Sequence, residues 1–103
     1  MSKVREVSIG GVAHLMLEMG NITGELYDNY NQKSVITLAI SNPIPGGWSL
    51  ISIVANGSAI TIPSTWIKSG GDDVSIVDGT TNHLSVFYKD SDTIFYTNTT
   101  VAP

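Results

Sequence analysis

Apolar and polar residues alternate with a period of two over most of the chain. In Val35-Ile-Thr-Leu-Ala-Ile40 the residues Ile36, Leu38 and Ile40 share one side, and β-branched Val35 and Thr37 suit a pleated surface. Asn42-Pro-Ile-Pro-Gly-Gly47 then forbids regular structure and reads as a loop. Strands are predicted over Trp48-Ser-Leu-Ile-Ser-Ile-Val-Ala55 and over Ala59-Ile-Thr-Ile62. Between them stands Asn56-Gly57, a pair that accepts positive φ at both centres of a type I′ turn and so predicts a hairpin. Val74-Ser-Ile-Val77 reads as a short strand ended by the turn pair Asp78-Gly79. Leu84-Ser-Val-Phe-Tyr88 puts Leu84, Val86 and Tyr88 on one face, Asp90-Ser-Asp92 turns, and Thr93-Ile-Phe-Tyr-Thr97 follows as the closing strand. Strand-like runs thus recur about every ten residues, the spacing of a sandwich or barrel.

The N-terminal third is more ambiguous. Residues 4–9 alternate like a strand, and Gly10-Gly11 reads as a hinge. Val12-Ala-His-Leu-Met-Leu-Glu-Met19 fits a strand with Ala13, Leu15, Leu17 and Met19 inward, although Ala, Leu, Met and Glu equally favour helix. Glycines on both sides of the run favour the strand. The expected organisation is an N-terminal arm or edge strand over 1–11 and a β-sandwich domain over 12–103. A segment as short as 1–11 cannot form a sheet of its own. Pairing outside its own subunit is the favoured expectation, because an unpaired edge strand invites aggregation; the alternative is that it completes its own sheet.

Composition narrows the class. The 103 residues suffice for one domain, 42% of them are apolar and only 14% are charged, below the usual quarter. So few charges point to a surface partly covered in an assembly. The net charge is −4, and the basic residues Lys3, Arg5, Lys33, Lys68 and Lys89 are scattered, which argues against nucleic acid as a partner. The absence of cysteine excludes disulfides, thiolate metal sites and cysteine nucleophiles. No apolar run is long enough for a membrane-spanning helix, and Met1-Ser-Lys-Val-Arg-Glu lacks the apolar stretch of a signal peptide. The sequons at Asn21, Asn56 and Asn98 accordingly read as turn and strand residues.

Candidate chemistry is sparse. Gly70-Gly71-Asp72-Asp73 has the tetrapeptide of the diguanylate cyclase hairpin, but that enzyme needs a larger βα scaffold to hold nucleotide and metal. Asp72, Asp73, Asp78, Asp90 and Asp92 are hard oxygen donors, yet the Asp-x-Asp-x-Asp-Gly loop spacing and its closing glutamate are missing. They read as solvated turn residues. His14 lies opposite the apolar positions of its run, His83 lies at a turn after Asn82, and neither neighbours a Gly-x-Ser-x-Gly nucleophile motif. No catalytic, cofactor-binding or metal residue is assigned. Trp48, Trp66, Phe87, Tyr88, Phe95 and Tyr96 read first as core, and a sugar-binding surface would use the same residue types.

A layout does stand out. A strand reaches Pro45-Gly46, and a later one, Ile60-Thr-Ile-Pro63, runs into Trp66. Gly70-Gly71 follows, then Leu84-Ser-Val-Phe-Tyr88, Asp90 and Phe95-Tyr96. Across residues 33–96 this layout resembles β-rich phage virion proteins: tail-fibre tips, head fibres and capsid decoration modules. Asp72 and Asp73 depart from it where proline is common, Phe95 stands where tryptophan is usual, and residues 1–30 match none of it. The resemblance implies a non-enzymatic structural protein located on the virion, commonly a homotrimer. Its partners would be its own copies and the major capsid protein or other virion proteins. A capsid decoration or cement protein is favoured, because the chain opens with methionine and carries no long fibrous shaft. The alternative is a tail-fibre or receptor-binding tip that recognises host surface glycans. Exposed aromatics beside residues 70–73 would favour the tip, and a buried aromatic set with an apolar flank would favour decoration. The expected fold is a single antiparallel β-sandwich, jelly-roll-like, and within it Pro63 ends a strand, Trp66 folds over the sandwich edge, and residues 70–73 form a wet corner loop.

Overall fold

Ten strands and no helix account for the regular structure among the described residues, which in this computed structural model are 4–20, 24–27 and 29–103. Residues 1–3 and the sequon at Asn21 lie outside them. No helix among the described residues is long and apolar enough to cross a membrane. The first two strands, β1 (Arg5–Ile9) and β2 (Val12–Glu18), pair antiparallel with Ile9 opposite Val12. Gly10 and Gly11 join them with φ of 60° and 81°, a two-residue turn with both centres positive rather than a hinge. Residues 12–18 are strand and not helix, and Leu15, Leu17 and Met19 are fully buried, as their alternation predicts.

Eight strands follow: β3 (Glu25–Leu26), β4 (Tyr30–Asn31), β5 (Ile36–Ser41), β6 (Gly47–Val54), β7 (Ile60–Thr61), β8 (Ile67–Gly71), β9 (Thr81–Asp90) and β10 (Thr93–Val101). They form a four-stranded sheet in the order β1-β2-β5-β7 and a six-stranded sheet in the order β3-β6-β9-β10-β8, in which β4 also pairs with β6. From β2 to β8 the chain crosses repeatedly between the two sheets. Consequently β2, β5 and β7 are parallel neighbours in one sheet, and β3 and β4 run parallel to β6 in the other. This is the winding of a short β-solenoid. The β9–β10 hairpin then runs antiparallel to β6 and completes the larger sheet, with β8 parallel to β10 at its edge.

The all-β class is as expected, but the antiparallel, jelly-roll-like sandwich is not what forms. The cause is visible at Asn56-Gly57. Gly57 has φ 92°, but among the described residues the only non-glycine with positive φ is Asn42, so Asn56 does not take the type I′ conformation. Instead Asn56 Oδ1 accepts the Ser58 N–H at 3.1 Å, and the Asn56 N–H donates to Gln32 Oε1. Buried Gln32 also donates through Nε2 to the carbonyls of Ser58 and Ala59. One side-chain amide therefore turns the chain into a corner, and β7 crosses to the opposite sheet, where Ile60 lies beside Ile36.

Two further expectations are corrected. Residues 74–77 form no strand. The Ser75 N–H donates to Asn82 Oδ1 at 2.9 Å and the Ser75 carbonyl accepts from Asn82 Nδ2 at 2.8 Å, so a side-chain amide replaces the ladder. Gly70 and Gly71 are not a corner loop but the end of edge strand β8, paired with Thr97 and Asn98. At Gly71 (φ 86°) a Cβ would sit 2.1 Å from the Asn98 carbonyl oxygen, so only glycine permits that approach. Pro63 does stop β7, and the Trp66 N–H donates to the Pro63 carbonyl at 3.0 Å to close the turn. Trp66 then enters the core at 8% exposure. That core lies between the sheets, built on one side from Leu15, Leu17, Ile36 and Leu38 and on the other from Ile51, Ile53, Leu84 and Val86.

Candidate functional site: the outer face of the larger sheet

With Ile51, Ile53, Leu84 and Val86 turned inward, strand alternation turns Trp48, Leu50 and Ser52 of β6 outward. His83, Ser85 and Phe87 of β9 and Phe95, Thr97 and Thr99 of β10 share that outer face. Register arranges them in rows across the sheet. Trp48 pairs with Phe87, Phe87 with Phe95, and Phe95 with Ile67 of β8, which makes one aromatic and apolar row. The next row is Leu50, Ser85 and Thr97, and the third is Ser52, His83 and Thr99. Directly opposed side chains in such rows have Cβ atoms about 4.5–5.5 Å apart, so each row is a contiguous strip.

The face is apolar at one end and polar at the other. Phe87 is 39% exposed, Ile67 45% and Leu50 37%. Trp48 is half-buried because its indole lies flat on Gly24, where a Cβ would approach Cζ2 to 2.2 Å. A groove of about 330 Å³ opens over the two polar rows and is walled on one side by Leu26 of β3. Among the described residues no Asp, Glu, Lys or Arg lines it. Ser52 Oγ lies 2.7 Å from His83 Nδ1.

The histidines do not come together. His14 stands on β2 in the other sheet, with Nδ1 2.9 Å from the Val12 carbonyl oxygen. His83 is mid-strand in β9 rather than at a turn. The Ser52–His83 pair was missed because nothing in either local sequence shows that β6 and β9 align in that register. Among the described residues no carboxylate is bonded to the His83 ring.

The described aspartates have separate surroundings and do not converge. Asp72 Oδ2 accepts from the Thr100 N–H at 2.9 Å and from the Thr100 hydroxyl at 3.0 Å, and these bonds hold its carboxyl below the usual carboxylate range. Asp73 accepts from Lys68 Nζ at 2.6 Å, and that bond raises the lysine pKa. Asp90 Oδ1 accepts from the Asp92 N–H at 2.9 Å, and Asp78 lies in the turn before Gly79. Among the described residues no three His, Asp or Glu side chains converge as metal ligands. Asn98 is fully buried and donates to Asn82 Oδ1 at 3.1 Å, so that sequon asparagine belongs to the core.

Of the aromatics, Trp66 is buried and Tyr88 and Tyr96 pack against the core, whereas Phe87, Phe95 and Trp48 belong to the outer face. No family model matches the chain, and neither the curated proteins nor the solved structures yield a match.

Proposed function

We propose that this chain is a non-enzymatic bacteriophage virion structural protein, a capsid decoration or cement module that stabilises the head. The observation that carries the reading is the outward row Trp48–Phe87–Phe95–Ile67, an uncharged strip four strands wide in which Phe87 and Ile67 are exposed and Trp48 and Phe95 half-buried. Exposed apolar strips of this kind mark surfaces made to be covered. Buried Trp66, with Ile67 and Phe87 exposed on the outer face, is the pattern of a structural aromatic set with an apolar flank. The partners are further copies of the chain, as a homotrimer, and the major capsid protein. Neither nucleic acid nor membrane is a partner in this reading, and the location is the virion. Electron microscopy of particles carrying a labelled copy tests it: clustered label on the head lattice is expected, and label confined to the tail overturns it. Light scattering of the free protein should give a trimer, and a stable monomer at micromolar concentration together with isolated copies on the particle removes that element.

A second reading is favoured by one observation. Phe87 and Phe95 lie in the same row as Ile67, on the strand that carries Gly70 and Gly71, so exposed aromatic surface does adjoin that segment. This is the feature that favours a receptor-binding tip recognising host glycans. Phe87→Ala separates the two: loss of particle attachment supports decoration, and loss of host-cell binding with attachment intact supports the tip.

A further inference from the structure

We propose that the groove beside the aromatic row is a binding site for a neutral saccharide, one or two pyranose rings in size. The inference rests on the receptor-binding reading and assigns it a place and a ligand class. At about 330 Å³ the groove is at the small end of ligand sites, which run roughly 300–1,000 Å³. Its polar groups are hydroxyls and one imidazole. Those of Ser85, Thr97 and Thr99 make no hydrogen bond to another described residue, and each offers one donor and two acceptor positions. Ser52 holds His83 through Nδ1, which leaves Nε2 as the ring's remaining hydrogen-bonding group. Pairing across β9 and β10 sets His83 beside Thr99 and Ser85 beside Thr97, a lattice on the scale of a sugar ring. Leu26 and Leu50 supply the apolar wall against which the C–H face of a pyranose packs.

The same lining excludes other ligand classes. An anionic ligand would lose its hydration without a counter-charge, because among the described residues no Lys or Arg lines the groove. A peptide adding as a strand needs an open sheet edge, and β6, β9 and β10 are each paired on both sides. What remains is a neutral polyhydroxyl ligand with an apolar face.

The test uses the full chain and the methyl pyranosides of glucose, galactose and mannose, with N-acetylneuraminic acid as the anionic comparison, read by saturation-transfer NMR and calorimetry. At least one neutral glycoside is expected to bind saturably with a Kd on the order of 1 mM, as a few neutral hydrogen bonds allow, and the anionic sugar is not. Thr97→Val and His83→Ala should each weaken binding about tenfold, the loss of one such bond. Unchanged circular dichroism melts show that the variants remain folded, and Thr97→Val, which preserves shape, serves if His83→Ala does not. Absence of binding by all three neutral glycosides, or unchanged affinity in Thr97→Val, overturns the proposal. If host-cell binding then persists in both variants, the groove is wrong and the tip reading stands. If host-cell binding is absent from the parent as well, that reading falls with it, and decoration is unaffected.

Discussion

Replacing Trp66 with alanine tests whether the aromatic set is divided between core and surface. Trp66 is 8% exposed and packs in the cluster that includes Leu15, Ile36, Ile53 and Leu84. Its truncation removes the largest side chain of that cluster and leaves a cavity between sheets that are held by paired backbone and cannot close on it. Such truncations cost about 3–5 kcal/mol. For a domain of this size each kcal/mol moves Tm by about 4–8 °C, so a drop of roughly 12–40 °C is expected. That is a large part of the roughly 5–15 kcal/mol that holds a domain folded. Phe87→Ala is the comparison. At 39% exposure it gives up only part of the roughly 1.5–3 kcal/mol of a fully buried aromatic, so about 1–2 kcal/mol is expected. Urea and thermal denaturation followed by circular dichroism measure both, and Trp66→Phe should recover part of the loss. The division fails if Trp66→Ala melts within a few degrees of the parent, or if Phe87→Ala proves the more costly.

Four other outcomes are expected. Gly71→Ala should detach β8 from β10, because the new Cβ meets the Asn98 carbonyl at positive φ, whereas Gly70→Ala, with open space around it, should be near neutral; amide exchange at Asp72, whose N–H bonds that carbonyl, reports the difference. Asn82→Ala removes both bonds to Ser75 and the one from Asn98 and should cost about 2–4 kcal/mol by urea denaturation. The Asp72 carboxyl is held below its ordinary value by Thr100, so its contribution is present above the unfolded carboxylate pKa and lost as pH falls through the folded one; Asp72→Asn should flatten the acid limb of the Tm–pH curve, and an unchanged limb counts against the assignment. Deleting residues 1–9 removes β1, the packing of Val4 on the core and the bond from the Tyr30 hydroxyl to Glu6, so the melt should fall; retention of the parent Tm with loss of particle attachment would instead mark the segment as a docking arm.

Local pattern and long-range pairing contributed different things to this fold. Alternation alone puts Ala13, Leu15, Leu17 and Met19 inward and gives Ile36, Leu38 and Ile40, and Leu84, Val86 and Tyr88, a shared face; seven of these ten are buried and Ala13, Ile40 and Tyr88 pack half-buried against the core, because a strand of period two with one wet face leaves a single way to sort its side chains. Trp66 after Pro63, and the turns at Asp78-Gly79 and Asp90-Ser-Asp92, were legible for the same local reason: proline, glycine and aspartate act within a few residues of themselves. Which strand lies beside which was not legible. A ladder bond joins backbone groups common to all residues, so Ile36 carries no sign that it lies beside Ala13 on one side and Ile60 on the other. Asn56-Gly57 is compatible with a hairpin or a corner, and a buried glutamine from β4's end of the chain, Gln32, decides for the corner. The outer-face groove has the same origin. Alternation turns Ser52 and His83 outward separately, and only the register of β6 against β9 sets them opposite each other with Ser85 and Thr99 alongside, because register depends on how the whole core closes.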